Sequence, residues 1–216
     1  MMVTLDDQLT GVLRPGVLCV EQVRVVAHDP AMDLPIMETE RALRASGDPA
    51  GVVAAVRRLY HRTGVDPTKT RPSSEALLRR LRKGQGLPRI NSLVDVANWC
   101  SLETQLPYGL YDLDCVHGAV QVRLGRAGEQ YAGIRKDTVH VDGRITLVDD
   151  DGPFGNPTSD SARTMVHVAT ARALFVVFAP AELGDDVVSR ALDLTAARAL
   201  RFCGGRETAR ALAGPS

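Results

Sequence analysis

The densest run of polar side chains able to do chemistry lies between Arg71 and Asp114. Arg71-Pro72-Ser73-Ser74-Glu75 opens one helical pattern, and Arg89-Ile90-Asn91 opens the next, on which Asp95 and Asn98 follow. Spacings of four and three put Asn91, Asp95 and Asn98 on one helix face, and such a stripe either meets water or lines a cleft. Arg89 and Asn91 stand at a helix start, where free N–H groups and the helix dipole favour an anion. Tyr108, Gly109, Tyr111, Asp112 and Asp114 complete the run. A second run, Thr158-Ser159-Asp160-Ser161-Ala162-Arg163-Thr164, supplies turn and cap residues, or a carboxylate or phosphate contact through Arg163 beside Thr164.

Several reactive signatures are missing. There is no Gly-rich phosphate loop, no HExxH and no GxSxG. His28, His61, His117, His140 and His167 show no metal spacing. Cys19, Cys100, Cys115 and Cys203 form no CxxC pair, which argues against zinc or a disulfide framework and fits a reducing cytosol. Neither a metal nor a cofactor is expected. Met1 to Arg14 lacks the basic region and apolar core of a signal peptide, and no stretch approaches the roughly 18 apolar residues of a membrane span. The expectation is a cytoplasmic protein with no membrane partner. The oligomeric state is left open.

The 216 residues suit one domain, at 44% hydrophobic and 24% charged. The formal net charge is zero, but the charge is unevenly placed. Arg57, Arg58, Arg62, Lys69, Arg71, Arg79, Arg80, Arg82, Lys83 and Arg89 face only Asp66 and Glu75 over the same stretch. Acids gather later, at Asp149, Asp150, Asp151, Glu182, Asp185 and Asp186. A basic stretch of this kind is either a pair of solvated helix faces or a phosphate contact.

The elements that must position these residues follow from periodicity. Leu18 to Ala27 alternates as a strand and His28-Asp29-Pro30 turns the chain. Met37 to Ala45 reads as a helix, Asp48-Pro49 opens a second over Ala50 to His61, and Gly64 to Pro72 is a linker. Ser73 or Ser74 is the expected N-cap of a helix over Glu75 to Lys83 that stops at Gly84. A further helix covers Asn91 to Glu103, and Pro107 to Asp112 reads as turn-rich, with Gly109 in a conformation reserved for glycine. Ala119 to Leu124, Gln130 to Ile134, Thr138 to Val141 and Arg144 to Val148 are strands, and Asp142-Gly143 signals a hairpin. Asp149 to Asp160 is a polar loop, Leu174 to Phe178 a buried strand, and Val187 to Phe202 a helix closed by Gly204-Gly205. The order predicts an α+β fold, with early helices packed on a mainly antiparallel sheet.

Three segments form an ordered series: Arg71-Pro72-Ser73-Ser74-Glu75-Ala76-Leu77; Leu87-Pro88-Arg89-Ile90-Asn91-Ser92-Leu93-Val94-Asp95-Val96-Ala97-Asn98; and Leu106-Pro107-Tyr108-Gly109-Leu110-Tyr111-Asp112-Leu113-Asp114. The series resembles the tRNA-editing domain of the phenylalanyl-tRNA synthetase beta subunit, its B-three/B-four module, and more closely the free-standing proteins built from that module. The resemblance is strong over 71–178 and looser over the N-terminal strand and helices (1–70) and the C-terminal helix (187–203). It implies one editing-type domain over 1–216 that hydrolyses, without a metal, the ester joining a wrong amino acid to tRNA.

Departures matter. Where the synthetase has Thr-Asn this chain has Ala97-Asn98, and where it has a His this chain has Gly109. The synthetase's tyrosine-sensing Glu aligns loosely near Val176. Free-standing members share the Gly and carry a cluster like Asp160, Arg163 and Thr164. The implied substrate is then a wrong amino acid on phenylalanine tRNA, or the arginine analogue canavanine on arginine tRNA, whose guanidine-like group an acid such as Asp112, Asp114 or Asp160 could pair. On this reading Asn98, Asp112 and Asp160 are the candidate catalytic residues. Arg89, Asn91, Tyr108, Gly109, Asp114, Arg163 and Thr164 bind substrate, and Arg79, Arg80, Arg82 and Lys83 bind tRNA. The rivals are a non-catalytic tRNA-binding module and a hydrolase of small aminoacyl esters.

Overall fold

The apolar run Leu174 to Phe178 has no polar side to show water, so it must be covered on both faces. The computed structural model describes residues 3–46, 50–134 and 136–214. In chain order the elements are strands β1 (Val3–Leu5) and β2 (Leu13–Glu21), then helices α1 (Asp33–Ser46), α2 (Ala50–Arg62), α3 (Ser73–Arg82) and α4 (Ser92–Thr104). Strands β3 (Tyr108–Asp112), β4 (Val120–Leu124), β5 (Gln130–Gly133), β6 (Lys136–His140), β7 (Ile145–Asp149), β8 (Gly152–Gly155) and β9 (Arg172–Pro180) follow, before helix α5 (Asp185–Cys203) and strand β10 (Arg206–Leu212). The fold is α+β. The central sheet runs β10-β2-β9-β3 and is antiparallel; the outer sheet runs β1-β4-β7-β8, and only its β1–β4 pair is parallel; β5 and β6 form a ribbon.

Alternation along β9 divides two cores. Ala173, Phe175, Val177 and Ala179 meet the helices, packing with Val56, Leu78, Val96 and Leu192. Leu174, Val176 and Phe178 meet the outer sheet, with Val122, Leu147 and Phe154. The central sheet is therefore the middle of three layers. Val176, the loose counterpart of the synthetase's sensing Glu, faces the outer sheet and is fully buried there.

Several expectations are corrected. The strand expected over Leu18 to Ala27 starts at Leu13 and stops at Glu21, because Gln22 takes φ 58° and breaks the ladder. Pro107 to Asp112 is not a turn: Tyr108–Asp112 forms β3, with every residue buried. Asp142-Gly143 does turn the chain, but it joins strands of different sheets, since β6 pairs β5 while β7 pairs β4 and β8. The expected loop 149–160 contains β8, whose Phe154 is fully buried. The opening of α2 at Asp48-Pro49 lies outside the described residues. Neither Ser73 nor Ser74 caps α3; Pro72 holds that position, and the Ser73 N–H is met by the Pro157 carbonyl at 3.3 Å.

Gly109 is explained by space rather than by backbone conformation. A Cβ there would lie 2.1 Å from the Tyr111 hydroxyl, and one at Gly155 would lie 2.2 Å from the same atom. Period-two alternation puts Gly109 and Tyr111 on one face of β3, where the fully buried Tyr111 ring meets Phe154 edge-on at 5.0 Å. Overfilling such a site costs about 1–3 kcal/mol. Gly109→Ala should lower the unfolding free energy by that amount, read as a lower denaturant midpoint at an unchanged m-value. An unaltered midpoint would mean that the Tyr111 ring can move aside.

Candidate active site

A cavity of about 410 Å3 opens between α3, α4, the edge of β3 and the loops around residues 134, 159 and 165. Helical spacing supplies two walls: Ser73, Ala76 and Leu77 on α3, and Val94, Ala97, Asn98 and Ser101 on α4. Tyr108 and Leu110 form the floor, Asp160 lies at one side, and Ile90, Ile134 and Met165 are partly exposed at the rim. The lining is thus mainly apolar with a few polar groups, the composition of a small-molecule site.

Some of its polar groups lack partners. Among the described residues nothing hydrogen-bonds the Asn98 amide, which is half-buried. Ser73 Oγ and Asp160 Oδ1 are buried without partners, as are Tyr111 Oη and Thr164 Oγ1 just behind. Buried polar atoms are normally paired, so orphans gathered at one cavity mark a place where a ligand or water completes them. Ser101 is satisfied, donating to the Leu106 carbonyl at 2.7 Å.

Asp160 is held firmly. Its carbonyl accepts from the Ile134 N–H at 3.3 Å, and it bridges to Gly155 across the loop. Burial pushes its carboxyl up to about 7, while the Tyr111 hydroxyl and the Leu110 N–H pull the other way. Neither the Tyr111 hydroxyl nor Asp160 Oδ1 finds a partner in hydrogen-bond geometry, so this compensation is incomplete. The same burial, together with neighbouring Asp160, holds the Tyr111 phenol well above its ordinary value.

Of the residues singled out in the sequence, Asn98, Asp160 and Tyr108 line the cavity. The Tyr108 hydroxyl is used elsewhere, 3.1 Å from Thr195 Oγ1 on α5. Arg89 is engaged by Asp95 (2.7 Å) and Asp33, and Asn91 caps α4 by accepting from the Val94 N–H at 3.0 Å. Asp112 is buried at the far end of β3, where it accepts from Thr170 Oγ1 at 2.6 Å; Asp114 is exposed and pairs with Arg172. Gly109 makes room for Tyr111. Arg163 grips Asp149 with two bonds of 3.0 and 2.8 Å and donates to the Cys115 carbonyl, so it anchors the loop rather than lining the cavity. Thr164 fastens that loop to β3 by accepting the Asp112 N–H at 2.9 Å. Arg79, Arg80, Arg82 and Lys83 are exposed near the end of α3, with Arg80 donating to the Gly86 carbonyl.

The sequence reading missed Ser73 as a cavity residue, because its type and place suggested a cap. The four cysteines are free; Cys19, Cys100 and Cys203 are buried, which pushes their thiols up, and none of the four lines the cavity. Among the described residues no group of three or more His, Cys, Asp or Glu is placed to hold a metal ion. No helix there is long and apolar enough to cross a membrane.

Comparison with known proteins gives concordant findings. Residues 55–208 match the model of the B3/4 domain. The phenylalanine–tRNA ligase beta subunit of Ralstonia nicotianae is 38% identical over 66 residues, 31% of this chain and 8% of that protein. The same subunit of Xanthomonas campestris pv. campestris is 40% identical over 91 residues, 42% of this chain and 11% of that protein. The matched stretches are therefore a small part of those relatives. An N-terminal fragment of the phenylalanyl-tRNA synthetase beta subunit from Pyrococcus horikoshii shares the fold, with a TM-score of 0.52 at 14% identity over 95% of this chain and 50% of that one.

The state of Asp160 has a measurable consequence. An unfolded Asp titrates near 3.9. Between about pH 4 and pH 7 the folded chain therefore holds a proton that the unfolded chain has released. Stability from this group falls as pH rises through that window and levels off above it. Asp160→Asn should flatten the decline when unfolding midpoints are compared from pH 5 to pH 8. Parallel profiles for the two proteins would assign the titration to other groups.

Proposed function

The chain belongs to the B3/4 domain family, and from that premise we propose that it is a trans-editing aminoacyl-tRNA deacylase, hydrolysing the ester of mischarged tRNA. The observation that carries the reading is one cavity holding an unpartnered amide, Asn98, and a half-buried carboxylate, Asp160, whose Oδ1 is buried without a partner. In the proposed reaction Asp160 accepts a proton from a water that attacks the ester carbonyl. The Asn98 amide and the Ser73 hydroxyl donate to the developing oxyanion. The bond to the ribose oxygen then breaks, and that oxygen takes up the proton as it leaves. A base poised near the working pH suits this role, and an ester is activated enough that orientation and oxyanion donors carry much of the rate.

The apolar lining of Ala76, Leu77, Val94, Ala97 and Leu110 favours an amino acid with a substantial apolar or aromatic part, as on phenylalanine tRNA. Of the three acids suited to a guanidine-like group such as that of canavanine on arginine tRNA, only Asp160 lines the cavity. Arg79, Arg80, Arg82 and Lys83 are exposed on the helix that forms one wall, where they can meet tRNA phosphates.

Purified protein should release amino acid from at least one member of a panel of mischarged tRNAs, with EDTA present or absent. Asn98→Ala should cut the rate on the order of 10²-fold, with melting temperature and tRNA affinity near wild type. The rate should rise with pH through about 7, and Asp160→Asn should remove the rise. Binding of tRNA with no release above the spontaneous rate across the panel would leave a non-catalytic binding module in place of the enzyme.

A further inference from the structure

A second concavity, of about 270 Å3, adjoins the cavity and shares Thr158 and Ser159 with it. Its charged lining is Lys69, Arg71 and Arg144, with His140 beside them, and among the described residues no carboxylate lines it. Asp66 and Asp142 stand beyond Lys69 and Arg144, in a neighbouring depression. Arg144 is half-buried and has no ion pair among the described residues. Arg71 Nε is buried without a hydrogen-bond partner, 3.5 Å from Glu75 Oε1. Glu75 is its ion-pair partner but also accepts two hydrogen bonds of 2.9 Å from Arg57, so an anion seated against the part-exposed Arg71 guanidinium would supply the hydrogen bond that its Nε lacks. Arg71 also lines a groove between α2 and α3 with Arg57, Arg79 and Arg82, where Glu75 is the one acid among the described lining residues. Positive charge thus continues from α3, past Arg71 to Lys69 and Arg144, and ends at the shared wall of the cavity.

We propose that this concavity binds the phosphodiester backbone of the single-stranded RNA end whose terminal nucleotide carries the ester. The proposal rests on the deacylase reading for the direction of the strand, with the ester end at Asn98 and Asp160. Phosphate is the chemistry favoured here because planar guanidinium groups bind its oxygens two at a time, and Lys69 adds a point charge. The hydroxyls of Thr70 and Thr138 are placed in the same wall for ribose or phosphate oxygens.

The test uses full-length protein and a short, dye-labelled, unacylated single-stranded RNA, with anisotropy read over a range of salt. Arg144→Ala combined with Lys69→Ala should weaken binding about tenfold or more. The salt slope should fall by about 0.7 for each phosphate that is no longer neutralised. Lys69→Ala alone, at an exposed position, should show a smaller loss in the same direction if Arg144→Ala lowers the melting temperature. Wild-type affinity and slope in the folded double variant would overturn the proposal. If no mischarged tRNA is hydrolysed but RNA binding still depends on Arg144 and Lys69, the enzyme reading falls and the phosphate subsite stands.

Discussion

Residues 173–179 of β9 are wholly excluded from solvent, side chain after side chain. Each Leu, Val or Phe buried in this way contributes about 1.5–3 kcal/mol relative to exposure. That gain requires a layer on each face and a strand on each edge, because a buried backbone must also find its hydrogen bonds. The helices cover one face, the outer sheet covers the other, and β2 and β3 close the edges. β3 is thereby held as the outermost strand of the central sheet, with half of its N–H groups turned outward. The segment carrying Asp160 and Thr164 packs along that free edge, so the candidate site is built where the central sheet ends.

One bulky side chain links this packing to the electrostatics. Tyr111 fills the space left by Gly109 and Gly155 and brings its hydroxyl beside Asp160. Behind the carboxylate lie the packed aromatic pair of Tyr111 and Phe154, and Arg163 stacks over the Phe154 ring at 5.6 Å while binding Asp149. Arg163 therefore positions the acid-bearing loop from outside. The result is a carboxyl held away from water but accessible from the cavity, with only partial compensation from its neighbours. Groups shifted in this manner are concentrated at functional sites, although structural packing can shift them as well.

The charge distribution has the same logic on a larger scale. Zero net charge conceals a basic tract on α2, α3 and the linker between them, and several acids elsewhere are consumed by ion pairs that fasten loops, such as Asp149 with Arg163 and Glu129 with Arg123. Cations outnumber acids along the two concavities beside the cavity, where Glu75 is the one acid among the described lining residues. A polyanion approaching this face meets attraction despite the neutral total.

The helices, the unbroken apolar strand and the family were legible in the sequence, because periodicity and the Arg89-to-Asn98 and Pro107-to-Asp114 runs are local patterns. Asn98 was singled out from the first of these runs and Asp160 from the resemblance to free-standing members, and both line the cavity. β3 was not, since the proline, glycine and tyrosines there are turn-compatible types, and only packing between two cores makes them a strand. Short β1 and β10 carried no local signal, because their strands are specified by the partners they pair with. Arg89, Asn91 and Arg163 have the chemistry of ligand-binding residues, but their capacity is taken up: Asn91 by the local cap to Val94, Arg89 by Asp95 and the distant Asp33, and Arg163 by Asp149 on β7. Conversely, Ser73 lines the cavity instead of capping its helix, and its N–H is met by the distant Pro157 carbonyl. Which polar atoms remain unpaired depends on all the neighbours at once, and those neighbours come together only when the chain has folded.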